Sequence, residues 1–420
     1  MRNGWKAQKL GDVFQIKPPK NEAKKRLSSD DLVSFVPMED LGILSKNFRA
    51  TKSRPFGEVS GSYTYFAEND VLVAKITPCF ENGKMGIARN LINGIGFGSS
   101  EFIVFRSNGC VSSEYLFYFL SADQFREEGK RRMSGAVGHK RVQKEFVENL
   151  LIPFPVSIGE QSRIVAVLDK VFAGIDKAKA NAEQNLKNSK ELFESYLQEF
   201  FERQMNSVGG IMLKEICDLQ NGFAFKSADY ISSSSTMLFR MSQIRPDGRI
   251  DLDNNPRYLP DAYFEKYKEY TLSDGDIVIA MTDMATETKI LGVPTLIKKD
   301  HRNLLLNQRV GRFINIDLDR VHVPYLRYIL TSSQINLYYK SLGHGGVQIN
   351  IGKPDILNAR IPLPDIHTQK SAATLLDTLS FESNRIANIY QRKLLRLEQL
   401  KKSILQKAFS GELTREEVPA

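Results

Sequence analysis

The feature that most restricts how this chain can fold is that its second half repeats its first. Leu10-Gly-Asp-Val-Phe-Gln matches Leu213-Lys-Glu-Ile-Cys-Asp in pattern, and each reads as a short helix opening its half. Glu68-Asn-Asp-Val-Leu-Val-Ala matches Ser273-Asp-Gly-Asp-Ile-Val-Ile-Ala, where a turn leads into a buried β-branched strand. Ser113-Glu-Tyr-Leu-Phe-Tyr-Phe-Leu matches Val323-Pro-Tyr-Leu-Arg-Tyr-Ile-Leu, both patterned as amphipathic helices. Gly135-Ala-Val-Gly pairs with Gly343-His-Gly-Gly, Leu151-Ile-Pro-Phe-Pro with Arg360-Ile-Pro-Leu-Pro, Glu160-Gln-Ser-Arg-Ile with Thr368-Gln-Lys-Ser-Ala, and Val167-Leu-Asp with Leu375-Leu-Asp. The order is kept and the offset stays at about 203 to 210 residues, which marks a duplicated domain; a solenoid would repeat every 20–50 or so.

Each half ends in a long helical pattern. From about Glu160 to Met205 the apolar residues Leu168, Phe172, Ile175, Ala182, Leu186, Phe193, Tyr196 and Phe200 recur mostly at steps of three, four or seven. From about Thr368 to Phe409 the stripe is Leu379, Ile386, Ile389, Leu394, Leu397 and Ile404, with Lys177, Lys187, Lys190, Arg392, Lys401 and Lys402 on other faces. Upstream prolines keep either helix from starting earlier, Gly209-Gly210 marks the joint between halves, and Gly411 ends the last helix. A helix of about 40 residues is roughly 60 Å long and cannot bury such a stripe alone. Two of them, one per half, can bury each other as an antiparallel coiled coil. The predicted fold is therefore α/β (α+β), with two tandem globular domains separated by two long helices and pseudo-twofold from duplication. The predicted boundaries are 1–155 and 209–364 for the globular domains, and 156–208 and 365–420 for the helices.

At 420 residues the chain suits two domains, and 42% apolar with 25% charged residues is ordinary for globular protein. The excess of 58 Lys and Arg over 49 Asp and Glu, a net charge of +9, favours a polyanionic partner. Cys79, Cys110 and Cys217 fall in no metal or redox spacing and read as reduced, buried thiols. Met1 to Lys9 has no apolar signal core and no run approaches a bilayer span, so a cytoplasmic protein without membrane contact is expected.

Motifs for chemistry are weak. Asn255-Pro256-Arg257-Tyr258 approaches the Asn-Pro-Pro-Tyr loop of adenine methyltransferases, but Arg257 replaces the second proline and no Gly-rich cofactor turn precedes it. Pro260-Asp261 with Glu287-Thr288-Lys289 fits a permissive nuclease pattern in which two carboxylates would hold Mg²⁺. The first half has no counterpart. No phosphate loop and no metal-ligand cluster is present in the sequence, so no catalytic or metal residue is assigned. A stand-alone Mg-dependent nuclease and a protein-binding helical scaffold remain the alternatives.

Recognition of DNA needs cations for phosphates and Arg, Lys, Asn, Gln, Ser or Thr for base edges. In the first half the loop Lys75 to Lys84 carries Lys75, Thr77, Asn82 and Lys84, and a cluster around the Gly135 turn carries Arg132, His139, Lys140 and Arg141. In the second half the candidates are Arg240, Gln243, Arg245, Lys289 and Arg309, then His344, Gln348 and Asn350 at the matching glycine turn. The clusters fall at equivalent places while the residues differ, as two readers of different sequences require.

These segments together resemble the specificity subunits of type I restriction–modification systems. The most specific is Leu405-Gln-Lys-Ala-Phe-Ser-Gly-Glu-Leu-Thr414, similar to the segment closing the last helix of that family. Ile152-Pro-Phe-Pro with Glu160-Gln-Ser-Arg-Ile, Ile361-Pro-Leu-Pro with Gln369, the strand at 275–280, and Lys75-Ile-Thr-Pro-Cys with Asn82-Gly-Lys84 support it. Thr368 in place of the glutamate at 160 and a reshaped second glycine turn depart from the pattern. The resemblance implies two target-recognition domains, each reading half of a split sequence in double-stranded DNA, with the helices fixing the gap. It also implies docking of two modification subunits, which use S-adenosylmethionine to methylate adenine N6. Restriction (motor–nuclease) subunits using ATP and Mg²⁺ would join them, and this chain would itself catalyse nothing and hold no cofactor.

Overall fold

The computed structural model describes residues 3–136, 138–286, 288–298, 300 and 302–414. The chain divides into two compact units, Met1–Ala182 with Arg392–Ala420, and Glu183–Gln391. Each unit holds one mixed α/β lobe and a segment of each of two long helices, Ile158–Val208 and Ile366–Ser410.

The two lobes repeat one topology. In the first, Trp5–Lys9 pairs antiparallel with Leu151–Pro155; in the second, Gly210–Met212 pairs with Arg360–Pro362. The main sheet of the first lobe runs Phe14–Ile16, Phe102–Ser107, Val71–Ala74, Met85–Arg89, Asn47–Arg49. That of the second runs Asp218–Asn221, Val310–Ile314, Ile277–Ala280, Pro294–Leu296. Parallel pairs recur too: Leu32–Val36 beside Ile95–Gly98, and Thr236–Phe239 beside Asn303–Leu306. Val71–Ala74 and Ile277–Ala280 are apolar without alternation because both faces are buried. The helices Ser113–Leu120 and Val323–Thr331 bury Tyr115, Leu116, Tyr325 and Leu326 in their lobes. The expected opening helices are a single α-turn at Leu10–Val13 and only a 3-10 turn at Leu213–Glu215.

Within each unit the long helices run antiparallel. In the first, Lys179 meets Glu398 at 3.7 Å while Asp176 meets Lys401 at 3.7 Å. In the second, the Ser383 hydroxyl donates to the Ser189 carbonyl at 2.6 Å. Exposed ion pairs of this kind are worth under about 1 kcal/mol, whereas burying one large apolar side chain is worth roughly 1.5–3. The apolar stripe therefore holds the helices. It is also shared with the lobes: Leu168, Phe172 and Ile175 join Leu405 and Ala408 in the first core, and Phe409 packs edge-on against Tyr115. Leu197 and Phe201 join Ala372, Ala373 and Leu376 in the second, where Phe201 packs against Tyr325. Each lobe is thus clasped by the start of one long helix and the end of the other.

A buried glutamine fixes each clasp. The Gln161 amide donates to the carbonyls of Cys110 (2.9 Å) and Pro155 (3.0 Å) and accepts from the Ser112 N–H (2.9 Å). Gln369 donates to the carbonyls of Arg320 (2.8 Å) and Pro364 (2.7 Å) and accepts from the His322 N–H (2.9 Å). Both side chains are fully buried, and each ties its helix to the loop before the lobe's own helix.

Some expectations need correction. Ile386 and Ile389 are 37% and 44% exposed; Ala387, between them, is the buried residue. At 100° per residue the buried face passes through Leu376, Leu379, Ser383 and Ala387, and the two isoleucines lie together to one side of it. Leu186, Phe193, Tyr196, Leu379, Leu394, Leu397 and Ile404 are half-buried, and Ala182 is fully buried. Of the thiols only Cys217 is buried; Cys79 is intermediate and Cys110 exposed on the loop that Gln161 grips. No described helix is long and apolar enough to cross a membrane.

Candidate nucleic-acid interface

In the first lobe the two predicted clusters meet. The strand Val71–Ala74 leads into Lys75, whose carbonyl accepts from the Val142 N–H at 2.9 Å, and the Thr77 N–H donates to the Lys140 carbonyl at 3.0 Å. The turn around Gly135 closes because Ser134 and Arg141 exchange backbone hydrogen bonds of 3.1 and 2.8 Å. Gly135 has φ 127°, and a Cβ there would stand 2.9 Å from the His139 carbonyl oxygen, so the turn requires glycine.

The second lobe builds the same frame. The Met281 carbonyl accepts from the Ile351 N–H at 3.0 Å, and Thr282–Met284 pairs with Gln348–Asn350. His344 and Asn350 exchange backbone bonds of 3.1 and 2.9 Å around Gly345, where φ is 135°. His344, Gln348 and Asn350 therefore sit at the places held by Ser134, His139 and Arg141 in the first lobe.

The side chains on the frames differ. Arg141 forks onto Glu101 at 2.8 and 3.0 Å, which holds the Glu101 carboxyl below the usual range, Arg141 being the main cause. Lys75 donates to the Ser100 carbonyl (2.9 Å), Lys84 to the Met38 carbonyl (2.8 Å), and Arg132 lies over the Phe146 ring at 5.3 Å. Thr77 faces Glu81 at 3.5 Å; Asn82, His139 and Lys140 are exposed. In the second lobe Thr282 donates to the Asn350 side chain at 2.7 Å, Lys289 is exposed and Gln348 half-buried. Arg309 joins this frame through its carbonyl, which accepts from the Met281 N–H at 3.0 Å.

Three second-half candidates lie elsewhere. Gln243 is fully buried, accepting from the Arg240 N–H (2.7 Å) and donating to the Asn254 carbonyl (2.8 Å), so it shapes a loop and cannot reach a base. Arg240, half-buried, belongs to the same loop. Arg245 pairs with Asp251 and lines a cleft of about 1310 Å³ with Arg249, Arg302, Arg327 and the helix residues Lys190 and Ser383. Glu101 and Thr282 escaped sequence reasoning; laying Glu101 against Arg309 at the repeat offset would have found the first.

The nuclease pattern gains nothing from the structure. Asp261 accepts from the Ser235 and Thr236 hydroxyls (2.7 and 3.0 Å), which lower its carboxyl pKa and occupy it. Glu287 lies outside the described residues. Among those described, no cluster of His, Cys, Asp and Glu could hold a metal ion.

The duplicated frame has a counterpart among known proteins. A model described as "Type I restriction modification DNA specificity domain" matches residues 2–188 and again 209–394. The chain belongs to this family. Members of the type I specificity family similar to it include the EcoEI specificity subunit of Escherichia coli, 34% identical over 199 residues, 46% of this chain and 32% of that protein. The match thus spans about a third of that relative's length. The MjaVIII specificity subunit of Methanocaldococcus jannaschii is 25% identical over 422 residues, 97% of this chain and 93% of that one. Its fold is also that of solved structures. A chain from a type I restriction–modification system superposes with TM-score 0.76 at 19% identity, covering 98% of this chain and 99% of that one. The HsdS subunit of Thermoanaerobacter tengcongensis gives 0.60 at 18%, covering 98% of each.

Proposed function

We propose that this chain is the DNA sequence-specificity subunit of a type I restriction–modification complex, in which each lobe reads one half of a bipartite target and the chain catalyses nothing. The observation that carries this is the repeated frame: one backbone arrangement in both lobes bears Lys75, Glu101, His139 and Arg141 in one copy and Met281, Arg309, Gln348 and Asn350 in the other. A scaffold kept for packing needs no such divergence at one conserved backbone site. Base readout does, because each base pair presents its own donors and acceptors in the major groove.

The proposed organisation is recognition domains at 1–155 and 209–364 with spacer helices at 156–208 and 365–420. The helices set the gap between half-sites and dock two methyltransferase subunits. Leu375, Ile386 and Ile389, exposed along one face of the second helix, offer apolar surface for such docking. S-adenosylmethionine, ATP and Mg²⁺ belong to the partner subunits, and the assembly works on chromosomal DNA in the cytoplasm.

The test is binding to random-sequence duplex by the chain co-purified with its modification subunits. Selection of a sequence with two defined halves and an undefined gap is expected, with log affinity falling linearly in log salt. Salt-independent binding, or one contiguous recognised sequence, would count against the reading.

A further inference from the structure

Beside the first lobe's frame lies an arginine that neither the repeat nor the family match singles out. Arg54 is exposed on Lys52–Pro55, the edge strand of the sheet that also contains Leu32–Val36 and Ile95–Gly98. It stands opposite Val33, which sets it diagonal to Phe35, and its guanidinium carbon lies 4.4 Å from the Phe35 ring centre. Phe35 is itself held edge-on by Tyr63 at 4.8 Å. Arg54, Phe35 and Tyr63 line an open recess of about 390 Å³ with Met38, Ser99 and the Lys52–Glu39 pair.

This recess adjoins the frame directly. Lys84 grips the Met38 carbonyl, and Lys75 grips the carbonyl of Ser100, next to Ser99. The cations differ in what they have left to offer. Arg141 is forked onto Glu101, and Lys52, on the same strand as Arg54, has Glu39 and Asp40 at 3.6 and 3.5 Å. Among the described residues Arg54 meets no carboxylate; its contact is the face of an aromatic ring. A guanidinium held over a ring face keeps N–H edges open, which suits a pair of acceptors side by side. In the second lobe the strand paired at this place, Tyr258–Leu259, has no cation and buries Leu259.

We propose that Arg54 is a base-reading residue of the first lobe, its stacked guanidinium donating two hydrogen bonds to O6 and N7 of one guanine in the first half-site. This rests on the functional reading above. Guanine presents that acceptor pair in the major groove, and arginine forking onto it is the commonest specific contact to DNA. A phosphate presents paired oxygens too, but carries no sequence information. An edge strand also uses charge to avoid pairing with another chain, a task lysine performs equally well.

The experiment selects targets from a random duplex library with the full complex, comparing wild type with Arg54→Ala, Arg54→Lys and Lys52→Ala. Both Arg54 variants should lose discrimination for guanine at one position of one half-site, on the order of 10- to 100-fold, and keep the other half-site intact. Lys52→Ala should select the wild-type sequence. Arg54→Lys keeping the wild-type preference would reduce Arg54 to a charge on an edge. Equal weakening on every sequence would make it a phosphate contact, and Lys52→Ala relaxing the same position would show that charge alone matters; each result overturns the assignment. If wild type selects no bipartite sequence, the functional reading fails and this assignment with it. If wild type selects one and both Arg54 variants select the same, this assignment alone fails.

Discussion

Glu101 and Arg309 hold the same place in the two lobes and carry opposite charge. The carbonyl of Glu101 accepts from the Lys75 N–H at 2.9 Å, and that of Arg309 from the Met281 N–H at 3.0 Å. In the first lobe this puts a carboxylate where it ties up Lys75 and Arg141; in the second it puts a cation at the frame's edge.

Glu101→Gln should therefore free Arg141 for phosphate. Affinity for random-sequence DNA should rise at low salt, and the slope of log affinity against log salt should steepen by about 0.9, the contribution of one further neutralised phosphate. Titration of binding against salt checks this. The pair has a pH signature as well. The Glu101 carboxyl sits below its ordinary value when folded, so its stabilisation is fully present above about 4.3 and is lost as pH falls through the folded value. Wild type should thus lose a small stability advantage over Glu101→Gln on acidification, measurable by denaturant unfolding at pH 7 and pH 4.

Gln161→Ala or Gln369→Ala strips partners from three backbone groups, of which the proline carbonyl is the buried one. Each should destabilise its own unit by about 3 kcal/mol, seen as a lowered midpoint in one unfolding transition and not the other. Gln184→Ala, which removes only an exposed side-chain bond to Asn188, should change stability by less than about 0.5 kcal/mol.

The thiols should separate by reactivity. Burial pushes Cys217 up to about 12, whereas Cys110 is exposed. Alkylation of native protein near pH 8 should modify Cys110 readily and leave Cys217 intact until the chain unfolds, as peptide mass mapping would show.

Much of this architecture was legible because duplication leaves its trace in order and spacing. The strand at 277–280, the helices at 113–120 and 323–331, and both long helices appear where the repeat placed them. The loops after Ala74 and Ala280 meet the glycine turns because both glycine segments recur at nearly the same offset. Side-chain fate was less legible. Gln243 carries a residue type suited to bases yet serves its own backbone, and nothing in a polar letter distinguishes the two. Ile386 and Ile389 look like stripe members, but over 45 residues an error of one position turns a side chain through about 100°. Glu101 was passed over because an acidic residue is not sought at a proposed DNA face.

The proposed spacer role gives a geometric prediction. Inserting four residues, about 6 Å of helix, near Asn188 should lengthen the preferred gap by one or two base pairs. Unchanged spacing would show that the helices do not set it.

The most direct measurement is a lobe exchange. Residues 1–155 are replaced by those of another family member, keeping the strand pair Trp5–Lys9 with Leu151–Pro155 together, and methylated adenines are mapped across a host genome carrying the active modification subunits. One half of the methylated sequence should change while the other half and the gap stay as they were. Alteration of both halves, or of neither, would contradict the division of recognition between the two lobes.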